Sequence, residues 1–297
     1  MDRKSFIKHL AVMPLIASNM NLNLNELKTI TDGFQTSQKM PVLFIGHGNP
    51  MNAIYDNNFT QSLHKLGKTL EKPNAILVIS AHWQTRGTFV STNPWPPTIY
   101  DFSGFDRKLY EVKYEPKGAP ELAKELMNTV TSVTIKEDIA MGLDHGAWTV
   151  LKHLYPLADV PVFEMSMDFD KPPSFHYNLG SELSKLREKG VLIIGSGNIV
   201  HNLRLLDWNN AYGKPFDWAL EFDEFVKNNI NNRNFQPLVE YEKYGKAALL
   251  SVPSNDHYLP MLYTLGLANE KEPIKYIYEG YEFGSLSMRC FQIGYRA

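Results

Sequence analysis

The chain of 297 residues has a single cysteine, almost no net charge and no long apolar run. One cysteine cannot form an intramolecular disulfide or a cysteine-based zinc site, so any metal must be held by histidines and carboxylates. The 30 Lys and Arg residues nearly balance the 32 Asp and Glu residues, which leaves a formal net charge of −2. We therefore expect no nucleic-acid or anionic-membrane partner. Since no apolar stretch reaches about 18 residues, we also expect no membrane-spanning helix.

The N-terminal segment, residues 1–40, permits two interpretations. A basic stretch precedes an apolar run, which is the order of a secretory signal, and residues 3–6 (RKSF) resemble a twin-arginine export motif with lysine at the second position. However, Pro14 interrupts the apolar run and no clear cleavage site follows. We favour an uncleaved docking helix followed by a polar linker, and hence a cytoplasmic protein. Export to the periplasm through a degenerate signal is the alternative.

From residue 41 onward, short apolar runs alternate with helical patterns. Buried strands are predicted at 42–45, 75–79, 160–165, 191–194 and 247–252. Helices are predicted at 59–70, 120–130, 146–155, 174–189 and 216–230. This alternation predicts one α/β domain over 41–297, with a mixed, largely parallel central sheet flanked by helices. The tail from 274 to 295 alternates around a Phe-Gly-Ser turn and predicts a C-terminal β-hairpin.

Four of the nine histidines follow predicted strands: His47, His82, His201 and His257. The carboxyl ends of parallel strands meet at one edge of a sheet, where ligands bind, so we expect these side chains to converge on one site. His145, at a predicted helix start, is a fifth candidate. The remaining histidines are interpreted as surface or helix-packing residues; they are His9, His64, His153 and His176.

The sequence lacks the motifs of several other sites. Residues 195–198 (GSGN) have neither the third glycine of a dinucleotide loop nor the lysine of a P-loop. No G-x-S-x-G elbow is present, and Cys290 lies within the predicted hairpin, so a serine or cysteine nucleophile is not expected. A cluster of histidines suits Zn(II), Fe(II), Cu or Ni. Four ligands would close a tetrahedral zinc site, whereas three on an octahedral metal leave positions for a bidentate substrate and dioxygen.

Five motifs in order resemble those of one enzyme family. They are residues 44–51 (FIGHGNPM), 79–83 (ISAHW), 142–148 (GLDHGAW), 195–202 (GSGNIVHN) and 256–260 (DHYLP). Together they resemble the class III extradiol ring-cleavage dioxygenases, most nearly the 4,5-DOPA extradiol dioxygenase-like subgroup. The resemblance covers about 41–297 and leaves residues 1–40 outside.

The resemblance implies a divalent metal held by His47, His82 and His257, with His201 as a fourth ligand or as an acid/base. It also implies that His145 contacts substrate or assists proton transfer, so His201 and His145 are the catalytic candidates. The expected metal is Fe(II) for turnover, with Zn(II) in a resting or purified form. The expected partners are a small catechol substrate, DOPA-like in character, and O2.

Two alternatives remain open at this point. A zinc-dependent hydrolase would activate water on the metal and would need a nearby carboxylate base, for which Asp256 and Asp144 are candidates. A non-enzymatic metal-binding protein on the same scaffold is the second alternative. Oligomeric state, exact substrate and cleavage position cannot be read from the residues.

Overall fold

A computed structural model describes residues 39–294, which all lie within one compact unit. Their central sheet has six strands, and four neighbouring strands run parallel. In spatial order the six are Val162–Glu164 (β6), Ala75–Ser80 (β2), Val191–Gly197 (β8), Val42–Gly46 (β1), Cys290–Ile293 (β12) and Ile274–Tyr278 (β9). Strand β12 runs antiparallel to both of its neighbours, β1 and β9. The expected mixed, largely parallel α/β sheet is therefore confirmed.

Shorter strands pair outside this sheet. They are Gln84–Thr85 (β3), Thr88–Ser91 (β4), Ile135–Asp138 (β5), Met167–Asp168 (β7), Tyr281–Glu282 (β10) and Leu286–Ser287 (β11). The predicted C-terminal hairpin is present as the antiparallel pair of β9 and β12, and β10 and β11 form a smaller hairpin between them. Because β12 also pairs with β1, the hairpin extends the central sheet.

Helices cover both faces of the sheet. They are Asn58–Thr69 (α1), Pro120–Thr129 (α2), His145–Leu154 (α3), Pro173–Glu182 (α4), Ser184–Glu188 (α5), Asp217–Asn231 (α6), Gln236–Val239 (α7), Lys246–Ser251 (α8) and Leu259–Gly266 (α9). Alternate side chains of each strand point to opposite faces. Thus Phe44 joins the core under α4, α6 and α9, whereas Ile45 joins the core under α1 and α3.

Two predicted elements are wrong. The strand predicted at 247–252 is helix α8, which begins after Gly245 with its φ of 103°. A short apolar run fits a strand and a buried helix equally well, and burial of Ala247, Ala248 and Ser251 follows one helical face. The helix predicted at 174–189 is divided into α4 and α5, which share Leu183 as a flanking residue.

Some predictions concern residues that the structure does not describe. The leader proposed for residues 1–40 lies almost wholly outside the described range, as does His9. Among residues 39–294, no helix has both the length and the apolar character needed to cross a bilayer.

Candidate active site

The carboxyl edge of the central sheet brings the candidate histidines together. His47 directly follows β1, His82 lies two residues beyond β2, and His201 lies four residues beyond β8. His145 is the first residue of α3, where the Asp144 carboxylate accepts a hydrogen bond from the Ala147 backbone N–H and caps the helix. The strand-end placement predicted for these histidines of β1, β2 and β8 is therefore what the structure shows.

His257 lies in the same cluster, but it follows a helix and not the predicted strand at 247–252. It lies between α8 and α9, and its carbonyl oxygen accepts a hydrogen bond from the Asn198 backbone N–H at 2.8 Å. A Cβ atom at Gly197 would lie 2.2 Å from that oxygen, so only glycine permits this approach. The glycines of the Gly-Ser-Gly sequence at 195–197 thus let the segment that carries His257 pack against the end of β8. This close packing, rather than phosphate binding, explains why the sequence is rich in glycine.

The imidazole rings are closely packed. The Nε2 atoms of His47 and His82 lie 3.1 Å apart, and the ring centroids of His82 and His145 are 3.7 Å apart. Donor atoms of His47, His82 and His257 all lie within 4.8 Å of one another, which is close enough for them to share one metal ion. His201 is not part of this group: its ring stacks on that of His257, with centroids 3.4 Å apart, and it forms a second possible ligand group with Asp256 and His257.

The tautomer of His47 follows from its neighbours. Its Nδ1 atom lies 2.9 Å from the Oγ of Ser196, and that hydroxyl donates its own proton to the carbonyl oxygen of Gly146 at 2.6 Å. Since the hydroxyl proton is already engaged, Nδ1–H of His47 must donate to the oxygen of Ser196. The Nε2 lone pair of His47 is left to face the other histidines.

Carboxylates orient two further rings in the same way. The Nδ1 atom of His257 contacts the carboxylate of Asp256, and Nδ1 of His145 lies 2.9 Å from Oδ2 of Asp101. Outer hydrogen bonds of this kind fix the ring orientation of metal-binding histidines and make the remaining nitrogen a better ligand. The sequence interpretation did not include Asp101 or Ser196, since nothing in their local sequence distinguishes them.

Burial favours the neutral form of four histidines of the cluster. It lowers the pKa of His47 and His257 well below the usual value for histidine, with a further contribution from neighbouring histidines. It lowers the pKa of His82 to about 3 and that of His201 to about 4. A neutral imidazole is the form that binds a metal, so the cluster is ready for ligation at neutral pH.

The carboxylates needed for a hydrolase are already engaged. Asp144 is fully buried, burial raises its pKa, and its Oδ1 accepts hydrogen bonds from Ser80 Oγ and from the Ala147 backbone. Asp256 holds His257. Both carboxylates therefore have structural roles, and the second oxygen of Asp144 is buried without a hydrogen-bond partner among the described residues.

The remaining described histidines lie in helices away from this cluster. His64 of α1 and His153 of α3 are hydrogen-bonded to each other at 3.0 Å, and Nδ1 of His176 lies 2.9 Å from the hydroxyl of Tyr263. They pack helices against one another or against the core.

The family assignment rests on this arrangement together with similarity to known proteins. Residues 37–290 match the family described as the catalytic LigB subunit of aromatic ring-opening dioxygenase, and the chain belongs to that family. The resemblance noted from the five motifs is confirmed, and the protein is an extradiol ring-opening dioxygenase.

Individual relatives cover nearly the whole chain. It is 45% identical to the 4,5-DOPA dioxygenase extradiol of Escherichia coli (strain K12), over 89% of this chain and 98% of that protein. It is 35% identical to the 4,5-DOPA dioxygenase extradiol of Beta vulgaris, over 84% of this chain and 94% of that protein. A crystal structure of an uncharacterized protein from Escherichia coli K12 is similar with a TM-score of 0.75 and 42% identity, covering 86% of this chain and 100% of that chain.

Proposed function

We propose that this enzyme opens the ring of a catechol-type, DOPA-like substrate with O2 at one divalent metal held by His47, His82 and His257. The observation that carries the proposal is the convergence of these three neutral imidazoles, whose donor atoms lie within 4.8 Å of one another. The names of the relatives from E. coli and Beta vulgaris support a DOPA-like substrate, since both are called 4,5-DOPA dioxygenase extradiol.

The donor set fits Fe(II) for turnover and Zn(II) for a resting form. Imidazole is a ligand of intermediate softness that binds both ions, and three protein ligands leave positions open on an octahedral metal. Fe(II) held by His47, His82 and His257 would supply the redox chemistry that couples oxidation of a catechol to reduction of O2. Both oxygen atoms enter the product while one ring carbon–carbon bond outside the diol breaks, so no external reductant is consumed.

We assign His201 to proton transfer rather than to permanent ligation. Its ring stacks on that of His257 and lies outside the group of three, and burial lowers its pKa to about 4. A neutral His201 can accept a hydroxyl proton of the catechol and donate a hydrogen bond to developing negative charge afterwards. We assign His145, whose ring lies next to that of His82, to a supporting role in proton delivery.

The test is reconstitution with Fe(II) under anaerobic conditions, followed by O2-uptake and ring-cleavage assays on a catechol panel that includes DOPA. We expect O2 uptake with at least one catechol and none with the Zn(II)-loaded protein. No uptake with any catechol, together with zinc-dependent ester or amide hydrolysis, would contradict the proposal.

The role of His201 is tested by the His201→Ala variant. We expect metal content to remain near the wild-type level while turnover falls by about 100- to 10,000-fold, which is the range for loss of a general acid or base. Equal loss of bound metal and turnover would instead identify His201 as an obligatory ligand.

A further inference from the structure

The carboxylate of Asp101 meets His145 at two points. Oδ1 accepts a hydrogen bond from the His145 backbone N–H at 2.9 Å, and Oδ2 lies 2.9 Å from Nδ1 of the same residue. Oδ2 also lies 3.7 Å from Nδ1 of His82. One side chain therefore contacts a proposed proton-transfer residue and lies beside a proposed metal ligand.

The charge of Asp101 determines which nitrogen of His145 carries the proton. Burial raises the pKa of this carboxyl, but hydrogen bonds and charge interactions with His145 and His82 outweigh it and keep the pKa below the ordinary value. A carboxylate oxygen can only accept, so the 2.9 Å contact between Oδ2 and Nδ1 places a hydrogen on Nδ1 of His145. The positive end of the α3 dipole lies beside the same carboxylate and favours its charge further.

The loop that carries Asp101 is held firmly against α3. The indole N–H of Trp148 donates to the carbonyl oxygen of Ile99 at 2.8 Å. Phe102 stands edge-on to the His145 ring, with centroids 5.4 Å apart, and its ring also contacts that of Phe105 with centroids 5.5 Å apart. The loop thus encloses His145 with a carboxylate on one side and an aromatic ring on another.

We propose that Asp101 is a positioning residue, which fixes His145 in one rotamer and in the Nδ1–H tautomer so that its Nε2 lone pair is available to support proton transfer. The inference rests on the proposed function, because it presumes that His145 handles protons in ring opening. It adds the residue that selects the reactive nitrogen.

The tautomer itself is measured without substrate. Two-bond proton–nitrogen NMR spectra of protein labelled with 15N-histidine, recorded on metal-free and Zn(II)-loaded samples, distinguish Nδ1–H from Nε2–H rings. The signal of His145 is identified by its absence from the His145→Gln spectrum. We expect the Nδ1–H form in the wild type, and an Nε2–H form in the wild type would overturn the proposal whatever any variant does.

The Asp101→Asn variant is the matched perturbation, since it keeps the shape and removes the charge. The amide oxygen can still accept the His145 backbone N–H, but the amide N–H2 can only donate to Nδ1 and so favours the Nε2–H tautomer. We expect turnover to fall by roughly 100- to 10,000-fold with KM changed far less, and metal content to stay near wild type. Asp101→Glu should restore part of the rate, and Ser103→Ala on the same loop should leave it unchanged.

Two further results would contradict the proposal: an unchanged His145 tautomer in Asp101→Asn, or loss of metal in proportion to loss of turnover. Failure of the proposed function would look different. In that case the wild type would show no O2 uptake with any catechol, while the tautomer and its response to Asp101→Asn would still be observed.

Discussion

Two groups of close histidines in this protein differ in what their ring nitrogens face. The first group, called the helix pair, consists of His64 in α1 and His153 in α3. Nε2–H of His153 donates to the carbonyl oxygen of Asn52 at 2.8 Å, so Nδ1 of His153 accepts from His64 at 3.0 Å. Both nitrogens of the buried ring are then used by the protein itself. Although the two rings are close, the pair leaves His153 with no lone pair for an incoming group.

In the active-site cluster, the Nδ1 atoms instead turn outward to fixed partners. Ser196, Asp256 and Asp101 occupy Nδ1 of His47, His257 and His145, respectively. The Nε2 atoms of these oriented rings are then available to the shared space in the middle. Closeness of histidines therefore does not define a site; the decisive feature is which nitrogen the surrounding structure leaves free.

The largest expected effect separates the two groups directly. His47→Ala removes one of three converging imidazoles, so we expect metal affinity to fall by more than the roughly 10- to 100-fold that loss of an outer hydrogen-bond partner costs. Metal content after dialysis and the thermal stabilisation by added Fe(II) or Zn(II) are the measurements. His64→Ala, in the helix pair, is the matched control and should keep full metal content. Equal metal loss in both variants would break the comparison.

An intermediate effect tests the outward-facing partners. Asp256→Asn leaves every imidazole in place but replaces the charged acceptor of the His257 Nδ1–H with a neutral amide. We expect metal affinity to fall by about 10- to 100-fold, measured by competition with a chromogenic chelator. Asp170→Asn, which alters an exposed ion pair with Arg86, serves as the control. An Asp256→Asn affinity equal to wild type would show that ring orientation at His257 does not depend on this carboxylate.

The smallest effect concerns the pH dependence of stability in the helix pair. Burial lowers the pKa of His153 from 6.5 to about 4. Between these two pH values, His153 is therefore neutral in the folded protein and protonated in the unfolded chain. A depressed histidine pKa means that stability is full above pH 6.5 and is lost as the pH falls towards 4. We expect the stability advantage of the wild type over His153→Gln to shrink by roughly 1 to 3 kcal/mol across that window, since one pKa unit corresponds to about 1.4 kcal/mol.

Urea unfolding of metal-free protein at pH 7, 6, 5 and 4 measures this difference. Metal must be absent because ligand binding to the other cluster would add its own pH dependence. A constant difference between the two proteins over this range would show that His153 is protonated as readily in the folded state as in the unfolded chain.

Much of the fold could be predicted because the strands β1, β2 and β8 are continuous apolar runs bounded by glycine or polar residues. The same regularity predicts that His47, His82 and His201 share one edge of the sheet, because each follows the carboxyl end of a parallel strand. The route to His257 could not be predicted, because the six residues of α8 fit a buried strand and a buried helix equally well. Its position instead depends on contact with Gly197 and Asn198, far away in sequence.

The outward-facing partners illustrate what sequence patterns omit. Asp101 belongs to a long irregular segment and is 44 positions from His145, so no periodicity links the two residues. Ser196 occupies a strand position where serine carries no distinctive signal. Its role depends on the pairing of β8 with β1, which places its hydroxyl beside His47.

The pairing of β1 with β12 has a consequence for biogenesis. The loop that carries His47 is held by Glu282, which accepts the backbone N–H of Asn49 from a position 233 residues later in the chain. Its strand gains its second neighbour only from Cys290–Ile293, close to the C-terminus. The first histidine of the cluster in the sequence therefore depends on contacts with segments more than 200 residues later, and long-range pairings of this kind form slowly. We therefore expect the proposed metal site to be completed only after β12 has paired with β1.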